Sequence, residues 1–542
     1  MIYKYGIDFG TTNSSIAIRF VGDDKQEHTL VVDVKDTLPR ETIPSVVLVD
    51  NRGNILAGED AMNQYMQDGL HKNGRKLIKQ IKLDLENKGS QLEYDIDGNK
   101  ISGIDLISSI LEILRMKAEK VTDELEIEIS GVVMGVPVQY GDIQKNVLKH
   151  ALVKAGFYTS IKEADSKTEF VSEPIAVAVH YGLNLNHDTT VLVFDFGGGT
   201  LDLAIVNLKN QISNDVLHPH ETISKERITL GGEELTRLFF VNSFCHPKKY
   251  GTKRIAVEFG FKPSLSSVEL WGKLLETEDG IRFISAIEKC KCDLSKANKY
   301  KFSFIGKNIQ LEEQTFYRDD FANAIEDKID EIDELIEKCL ENGNIQDPYD
   351  IDHVILAGGS SMIPAVQNLL VDKFGSNRVS SKLTDSDTVI KSLKKNKATE
   401  SEVLTSIVRG LAMVGCKDES LIDDVVDSDY GVWDSVEFIP IVKKGIPVRS
   451  TVIDRITQQG ISEDVECLDK NVSSVEIKVY QKNITGEHRL GSINIPNPGG
   501  KKYRVFMQID KKKGSLEVVI FDIVHQRWID EIPLNERQYT LK

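Results

Sequence analysis

Apolar and polar positions along most of the chain repeat with two periods, one suited to strands and one to helices. Residues 5–18, YGIDFGTTNSSIAI, and 191–206, VLVFDFGGGTLDLAIV, share one grammar: an apolar strand, Asp-Phe-Gly, a turn of small residues and a second apolar strand. Each predicts a β-hairpin, with Gly and Thr in the turn because exposed amides in a tight turn tolerate little bulk. The echo predicts two similar lobes, each opening on an Asp-bearing turn, with the turns facing one another across a cleft. ISGVVMGVPV (129–138) reads as a buried strand and DIQKNVLKHALVKAGF (142–157) as an amphipathic helix. Residues 319–342 keep Phe321, Ile325, Ile329, Ile332, Ile336 and Leu340 on one face and read as a single helix ending at Gly343. IDHVILAGGSSMIPAVQNLLVDKF (351–374) predicts a strand, a glycine turn and a helix, so the alternation indicates an α/β architecture to about residue 415.

Near residue 418 the pattern changes. KDESLIDDVVDSD is acidic and predicts a linker over 418–429. From 430 to 533 only short strands follow, among them VEFIPIV, SSVEIKVYQ, YRVFMQID and SLEVVIFDI, with turns at Lys443-Lys444-Gly445, Asn497-Pro498-Gly499-Gly500 and Lys511 to Gly514. This predicts an all-β module, a sandwich. Residues 534–542 are expected to be a short tail without a helical domain.

The chain has 542 residues, enough for three or four compact units, and its 40% hydrophobic content provides core material. Lys and Arg number 67 against 84 Asp and Glu, and a net charge of -17 repels phosphate backbones and anionic lipid headgroups. Neither nucleic acid nor a membrane is expected as partner. The start, MIYKYGIDFG, lacks a basic segment followed by an apolar one, and no run of 18 apolar residues occurs, so a cytoplasmic location is expected. Six thinly spread cysteines then read as reduced thiols, with Cys290 and Cys292 on a helix, and the sequons at Asn471 and Asn483 carry no meaning.

Oriented amides in a Gly- or Thr-rich turn suit phosphate oxygens, and a nearby carboxylate suits a hydrated magnesium ion. Two such hairpins clamp a nucleoside triphosphate and its metal from both sides, leaving phosphoryl transfer to positioning and charge neutralisation. No GxxxxGK[ST] or GxGxxG supports a P-loop or Rossmann route, and no His-Arg-Asp loop accompanies the Asp-Phe-Gly triplets.

With GIDFGTTNSS, VFDFGGGTLDLAIV and VILAGGSSMIPAVQNLL in order, the chain resembles the seventy-kilodalton heat-shock chaperone family of the actin-like ATPase superfamily. ETIPSVVLV, GVPVQYGDIQKNVLKHALVKAGF, SEPIAVAVHYGL, ITLGGEEL and IPIVKKGIPVRST support it. The resemblance implies a two-lobed ATPase with ribonuclease H-like lobes: lobe I to about residue 187, lobe II from 188 to 365, and a return to lobe I by 417. It implies ATP and ADP as ligands with magnesium, Asp8, Asp195 and Asp202 forming the metal and water shell. Gly10, Thr11, Thr12, Asn13, Gly197, Gly198, Gly199 and Thr200 would cradle phosphates. Lys79 would position the attacking water, with Glu173 as its acidic partner. Gly231 and Gly232 would contact phosphate from the second lobe, and Glu288, Lys291, Ser295, Gly358, Gly359 and Ser360 would line the adenosine pocket. Pro137 and Lys145 would relay nucleotide state, and Val475 and Ile477 would face bound peptide. Taken singly, each has a plainer reading: a hairpin turn, a solvated lysine, a helix cap at Glu173 or inward strand residues at Val475 and Ile477.

The chain departs from the family at several positions. Met362 stands where many members have an Arg that stacks on adenine, and Lys145 replaces another Arg, keeping charge without bidentate geometry. Glu169 reverses the charge of an Arg used in J-domain docking, which weakens the case for a standard J-domain partner. Leu421, Ile422 and Asp424 only loosely match the family's linker, the segment Gly431 to Pro447 is short, and no helical lid is expected after the β-module. The expected function is an ATP-driven chaperone binding peptide or unfolded segments of clients, served by a nucleotide-exchange factor. The alternative is a nucleotide-gated regulatory module with one dedicated partner; a sugar kinase or filament-forming relative is disfavoured by the β-module.

Overall fold

The computed structural model of the chain describes residues 3–22, 25–34, 41–68, 74–138, 140–182, 187–209, 220–307, 309–380, 400–415, 422–426, 428–433, 437–466, 474–483, 486–496, 502–509 and 516–529. The two hairpins of the sequence head two sheets of one plan. In the first, β1 (Tyr3–Phe9) pairs antiparallel with β2 (Asn13–Val21), and β2 with β3 (Glu27–Val31) and, at its start, with β4 (Ile43–Pro44). On the other side of β1, β5 (Ile129–Val136) and β6 (Thr168–Ser172) add in parallel. In the second sheet β7 (Thr189–Phe196), β8 (Leu201–Leu208) and β9 (His220–Ile228) are antiparallel neighbours, and β10 (His353–Ala357) and β11 (Val379–Ser380) add in parallel beyond β7. Strand for strand the order and sense match. Each sheet carries one strand beyond this plan: β4 on β2 in the first and, in the second, β12 (Ile422–Asp423), from the expected linker, which lies parallel to β9.

Helices cover these sheets where their apolar stripes demand it. α1 (Ile81–Lys88) and α2 (Asp142–Lys154) sink Ile81, Leu85, Val147, Leu148, Ala151 and Leu152 into the core on the first sheet. α3 (Glu173–Gly182) leaves β6 and runs between the two sheets. On the second sheet α4 (Gly232–Phe239) and α5 (Glu278–Lys296) bury Phe239, Phe283, Ile287 and Leu294 in an aromatic-rich core. Cys290, buried, and Cys292, exposed, both lie on α5, and Cys292 Sγ faces Glu288 at 3.7 Å. The single helix expected over 319–342 is instead two, α6 (Arg318–Ala324) and α7 (Glu326–Asn342). Ile325 leaves helical geometry at φ -118° and ψ 9°, and Glu326 and Asp327 open a new first turn, where acidic residues are favoured. The apolar stripe runs on across the break because both helices bury the same side.

The chain returns as α8 (Glu400–Val414), which packs against α3 between the sheets. The crossing is tight: a Cβ on Gly410 would fall 1.8 Å from the Ala176 carbonyl oxygen, and one on Gly6 of β1 would fall 2.5 Å from the Ala412 nitrogen. Glycine at both places lets backbones touch, tying α8 to the first sheet and to α3.

Beyond the linker, β13 (Asp429–Trp433), β14 (Phe438–Val442), β15 (Ser462–Glu466), β16 (Ser474–Asn483), β17 (Gly486–Pro496), β18 (Lys502–Ile509), β19 (Leu516–Asp522) and β20 (Arg527–Ile529) form two four-stranded antiparallel sheets. Their orders are β14-β13-β16-β17 and β15-β18-β19-β20. Tyr430, Val442, Val479 and Ile493 from one sheet and Tyr503, Val505, Met507 and Ile520 from the other form one apolar cluster. Two of the expected turns, 497–500 and 511–514, and the tail from 534 lie outside the described residues.

Candidate active site

The turns of the two hairpins abut. A Cβ on Gly198 would fall 1.9 Å from Thr12 Oγ1, and one on Gly199 would fall 2.7 Å from Thr11 Cγ2. Within the first turn a Cβ on Gly10 would lie 2.2 Å from the Asn13 carbonyl oxygen, and the second turn is closed by Gly197 N–H donating to Thr200 O at 3.0 Å. A third glycine pair joins them: Gly232 N–H donates to Gly197 O at 3.0 Å and Glu233 N–H to Gly198 O at 2.9 Å. A Cβ on Gly231 would strike the Gly198 carbonyl carbon at 2.3 Å. Gly358, at φ +71°, faces the Phe196 carbonyl and Asp195 so closely that a Cβ would sit 2.4 Å from that oxygen. The absence of side chains thus lets these turns converge closely, with the Gly197, Gly232 and Glu233 amides spent on bonds within and between them.

Charge gathers behind them. Asp8 stands opposite Ser15 on β1 and β2, whereas Asp195 and Asp202 stand directly opposite each other on β7 and β8. All three carboxylates are buried, as is Glu173 at the start of α3. Burial pushes the Asp8 carboxyl up to about 7, with Glu173 adding to the effect and Lys82 opposing it. Asp195 is raised well above the ordinary range by burial and then by Glu173, Asp202 and Asp8. Asp8 Oδ1 is buried without a hydrogen-bond partner. Such a cluster of like charges is disfavoured in an empty core and favoured by a cationic guest.

The cation that enters this cluster is Lys82, not Lys79. Lys82 Nζ bonds Glu173, both side chains being nearly inaccessible, and Glu173 and Asp8 hold its pKa above the ordinary value against the effect of burial. Lys79 is turned elsewhere. Gln80 between them adopts a left-handed conformation, φ 58°, and its amide bonds Glu233. Lys79 therefore lies on the far side of that kink, where burial lowers its pKa against the pull of Glu233 and Glu288. The pairing of Lys79 with Glu173 expected from the sequence is corrected to Lys82 with Glu173.

Four further residues complete the cluster unannounced by the sequence reading. Lys82 and Glu86 lie one turn apart on α1, and Glu86 Oε2 is 2.6 Å from Arg227 Nη2. Arg227 on β9 stands in register with Asp202, with Nε 3.5 Å from Asp202 Oδ1. Tyr140 donates its hydroxyl to the Lys82 carbonyl at 2.7 Å, and Val138 N–H reaches Asp202 Oδ1 at 3.3 Å. The i, i+4 spacing of Lys82 and Glu86 was the available signal.

On the side away from the carboxylates, Lys291 donates to Gly232 O at 2.7 Å and Thr236 Oγ1 at 2.9 Å and pairs with Glu288 at 2.8 Å. Ser360 donates to Gly197 O at 2.8 Å. The structure brings Glu288, Lys291, Gly358, Gly359 and Ser360 to the Gly197 and Gly232 turns, while Ser295 bonds back to Lys291 O one helical turn further along α5. Met362, half exposed, ends the turn Gly359–Met362.

The sequence profile of the family described as Hsp70 protein matches residues 4–236 and 276–523. The chain belongs to the Hsp70 family. It is similar to the Chaperone protein DnaK of Thermosipho melanesiensis, 27% identical over 505 residues that make up 91% of this chain and 72% of that protein. The Chaperone protein dnaK of Phaeodactylum tricornutum is 24% identical over 537 residues, 93% of this chain and 76% of its own length.

In this Hsp70 chain the residues from Pro137 to Lys145 span from the carboxylate cluster to the β-module. Val138 reaches Asp202, Pro137 and Lys145 are buried between, and Asp142 Oδ2 accepts from Leu516 N–H at 3.1 Å. Beside it a Cβ on Gly141 would fall 2.0 Å from Gln481 Oε1. On β9, Lys225 pairs with Asp424 at 3.0 Å and buried Glu226 with Lys444 of the 443–445 turn at 3.0 Å and Lys338 at 2.9 Å. Glu169 is engaged by Lys4 at 2.8 Å. Val475 and Ile477 take the plainer reading: Ile477 is 4% exposed in the module's core and Val475 packs at its margin. Leu421 lies outside the described residues. No helix among the described residues is long and apolar enough to cross a membrane.

Proposed function

We propose that this Hsp70 protein is an ATP-dependent chaperone in which ATP hydrolysis between two actin-like lobes controls the binding of client segments by a C-terminal β-sandwich. The observation that carries the reading is the buried set Asp8, Lys82, Glu173, Asp195 and Asp202 directly behind three converging glycine turns. The turns of Gly10–Asn13, Gly197–Thr200 and Gly231–Gly232 offer amides to the phosphates, and Lys291, Glu288 and Ser360 flank the nucleoside.

The residues present fit magnesium held through water. Asp8 Oδ1 is buried and unpartnered, Asp195 and Asp202 face each other, and no three acidic, His or Cys side chains among the described residues converge closely enough to ligate an ion directly. When bound there, magnesium supplies positive charge against the phosphate oxygens. Lys82, held by Glu173, points its ammonium at the same space and orients the attacking water, while Asp202, pinned by Val138 N–H, accepts from it. Burial of all these groups strengthens each interaction by excluding bulk water.

Coupling to the β-module is supported by β12 on the edge of the second sheet and by the contacts Lys225–Asp424, Glu226–Lys444 and Asp142–Leu516. Fluorescence anisotropy with a labelled apolar peptide tests the proposal: affinity is expected to fall at least severalfold in ATP relative to ADP. Equal affinities overturn it. The core position of Ile477 favours the second reading, a nucleotide-gated module with one folded partner. A pull-down returning one stoichiometric partner, rather than many unfolded clients, selects that alternative.

A further inference from the structure

The strands β7, β8 and β9 carry Asp195, Asp202 and Arg227 in one cross-strand row, Asp195 facing Asp202 and Asp202 facing Arg227. Register partners share a sheet face, so two like charges and one opposite charge project together toward the cleft. The Arg227 side chain is 1% exposed and lies 2.6 Å from Glu86 and 3.5 Å from Asp202. None of its Nε, Nη1 and Nη2 atoms makes an aligned hydrogen bond with a described residue. A guanidinium this deep is rarely left so unless its surroundings supply compensation.

Two features separate Arg227 from a core ion pair. Glu86 belongs to the first sheet's helix α1, so the pair crosses the cleft between the two sheets. Glu86 also shares a helix face with Lys82 one turn earlier, and Tyr140 fastens the Lys82 carbonyl from beside it. Whatever holds Glu86 therefore sets where the Lys82 ammonium stands relative to Asp202.

We propose that Arg227 is a positioning residue for hydrolysis: by pairing with Glu86 across the cleft and with Asp202 along its own sheet, it fixes the separation of Lys82 and Asp202 at which the attacking water is oriented. This rests on the ATPase reading above. A guanidinium addresses two carboxylates at once through separate nitrogens, which an ammonium cannot do with the same geometry. Small displacements of such groups cost rate far more than affinity, because the alignment matters chiefly in the transition state.

Single-turnover hydrolysis and MgATP affinity, measured side by side on the full chain, test it. Arg227→Gln and Glu86→Gln are each expected to slow hydrolysis about 10- to 100-fold while MgATP affinity moves less than about threefold. Arg227→Lys is expected to recover only a small part of the rate. Glu86→Gln/Arg227→Gln removes both buried charges, keeps the fold if a single variant does not, and is expected to be no slower than the slower single variant. A double variant that binds MgATP and hydrolyses it at the wild-type rate overturns the inference, as does equal loss of rate and affinity in Arg227→Gln. Wild-type protein that binds MgATP without hydrolysing it overturns the ATPase reading and this inference together, so the two failures are distinguishable.

Discussion

The two hairpin sheets repeat one strand plan but carry different charge. The first sets Asp8 opposite Ser15, and its cation arrives from outside the sheet, as Lys82 on α1. The second sets Asp195 opposite Asp202 and takes its cation from the next strand of the same row, Arg227. Facing carboxylates on adjacent strands are destabilising by themselves, so the second sheet bears a strain that the first avoids. The lesson is that a duplicated backbone fixes where two turns meet, while the side chains in one row decide which turn contributes the charge.

That difference is open to attack from several directions. The largest effect is expected from Lys82→Ala, which should slow single-turnover hydrolysis on the order of 10²-fold or more. Lys79→Ala should instead weaken nucleotide binding, since Lys79 lies by Glu233 and Glu288; the opposite ranking would return the hydrolytic role to Lys79. Making the first hairpin like the second comes next: Ser15→Asp puts a carboxylate opposite Asp8 at a site 1% exposed. It should destabilise the fold by on the order of 3 kcal/mol in urea denaturation, because no cation stands in that row. A stable Ser15→Asp protein would show that the two rows are equivalent after all.

Asp8 gives a smaller effect of opposite sign on stability. Its folded pKa of about 7 exceeds the ordinary 3.8, so between those values the folded state holds the extra proton and stability falls as pH rises. Asp8→Asn should therefore raise the melting temperature by a few degrees at pH 8, leave it nearly unchanged at pH 4 and abolish hydrolysis. A melting temperature that drops at pH 8 would mean that Asp8 stabilises rather than strains its turn. The smallest change is expected from Glu226→Gln, which removes the buried anion between Lys444 and Lys338. The β-module should dock about tenfold less favourably, read by energy transfer between labels on the two modules. An unchanged transfer signal would confine coupling to Asp424 and Asp142.

Much of this was legible from pattern alone. Both hairpins, the strand over 129–136, the helix over 142–154 and the two all-β sheets follow from local periodicity, which burial on one face enforces. The strand Gly486–Pro496 escaped notice because a bulge opposite Val479 and Tyr480 interrupts the alternation of Leu490, Ile493 and Ile495. The break at Ile325 was hidden for the converse reason, since two helices burying one side leave an unbroken stripe.

By itself the sequence determined the repeated Asp-bearing turns and the glycines that let those turns approach one another closely. These are local matters, settled by backbone freedom and the period of apolar residues. Only the tertiary structure decided that Lys82 rather than Lys79 meets Glu173, that Arg227 closes on Glu86 across the cleft, and that Ile477 fills a core. Those outcomes depend on one left-handed residue, Gln80, and on the register of distant strands, and a charge finds its partner only once such long-range geometry has brought the two together.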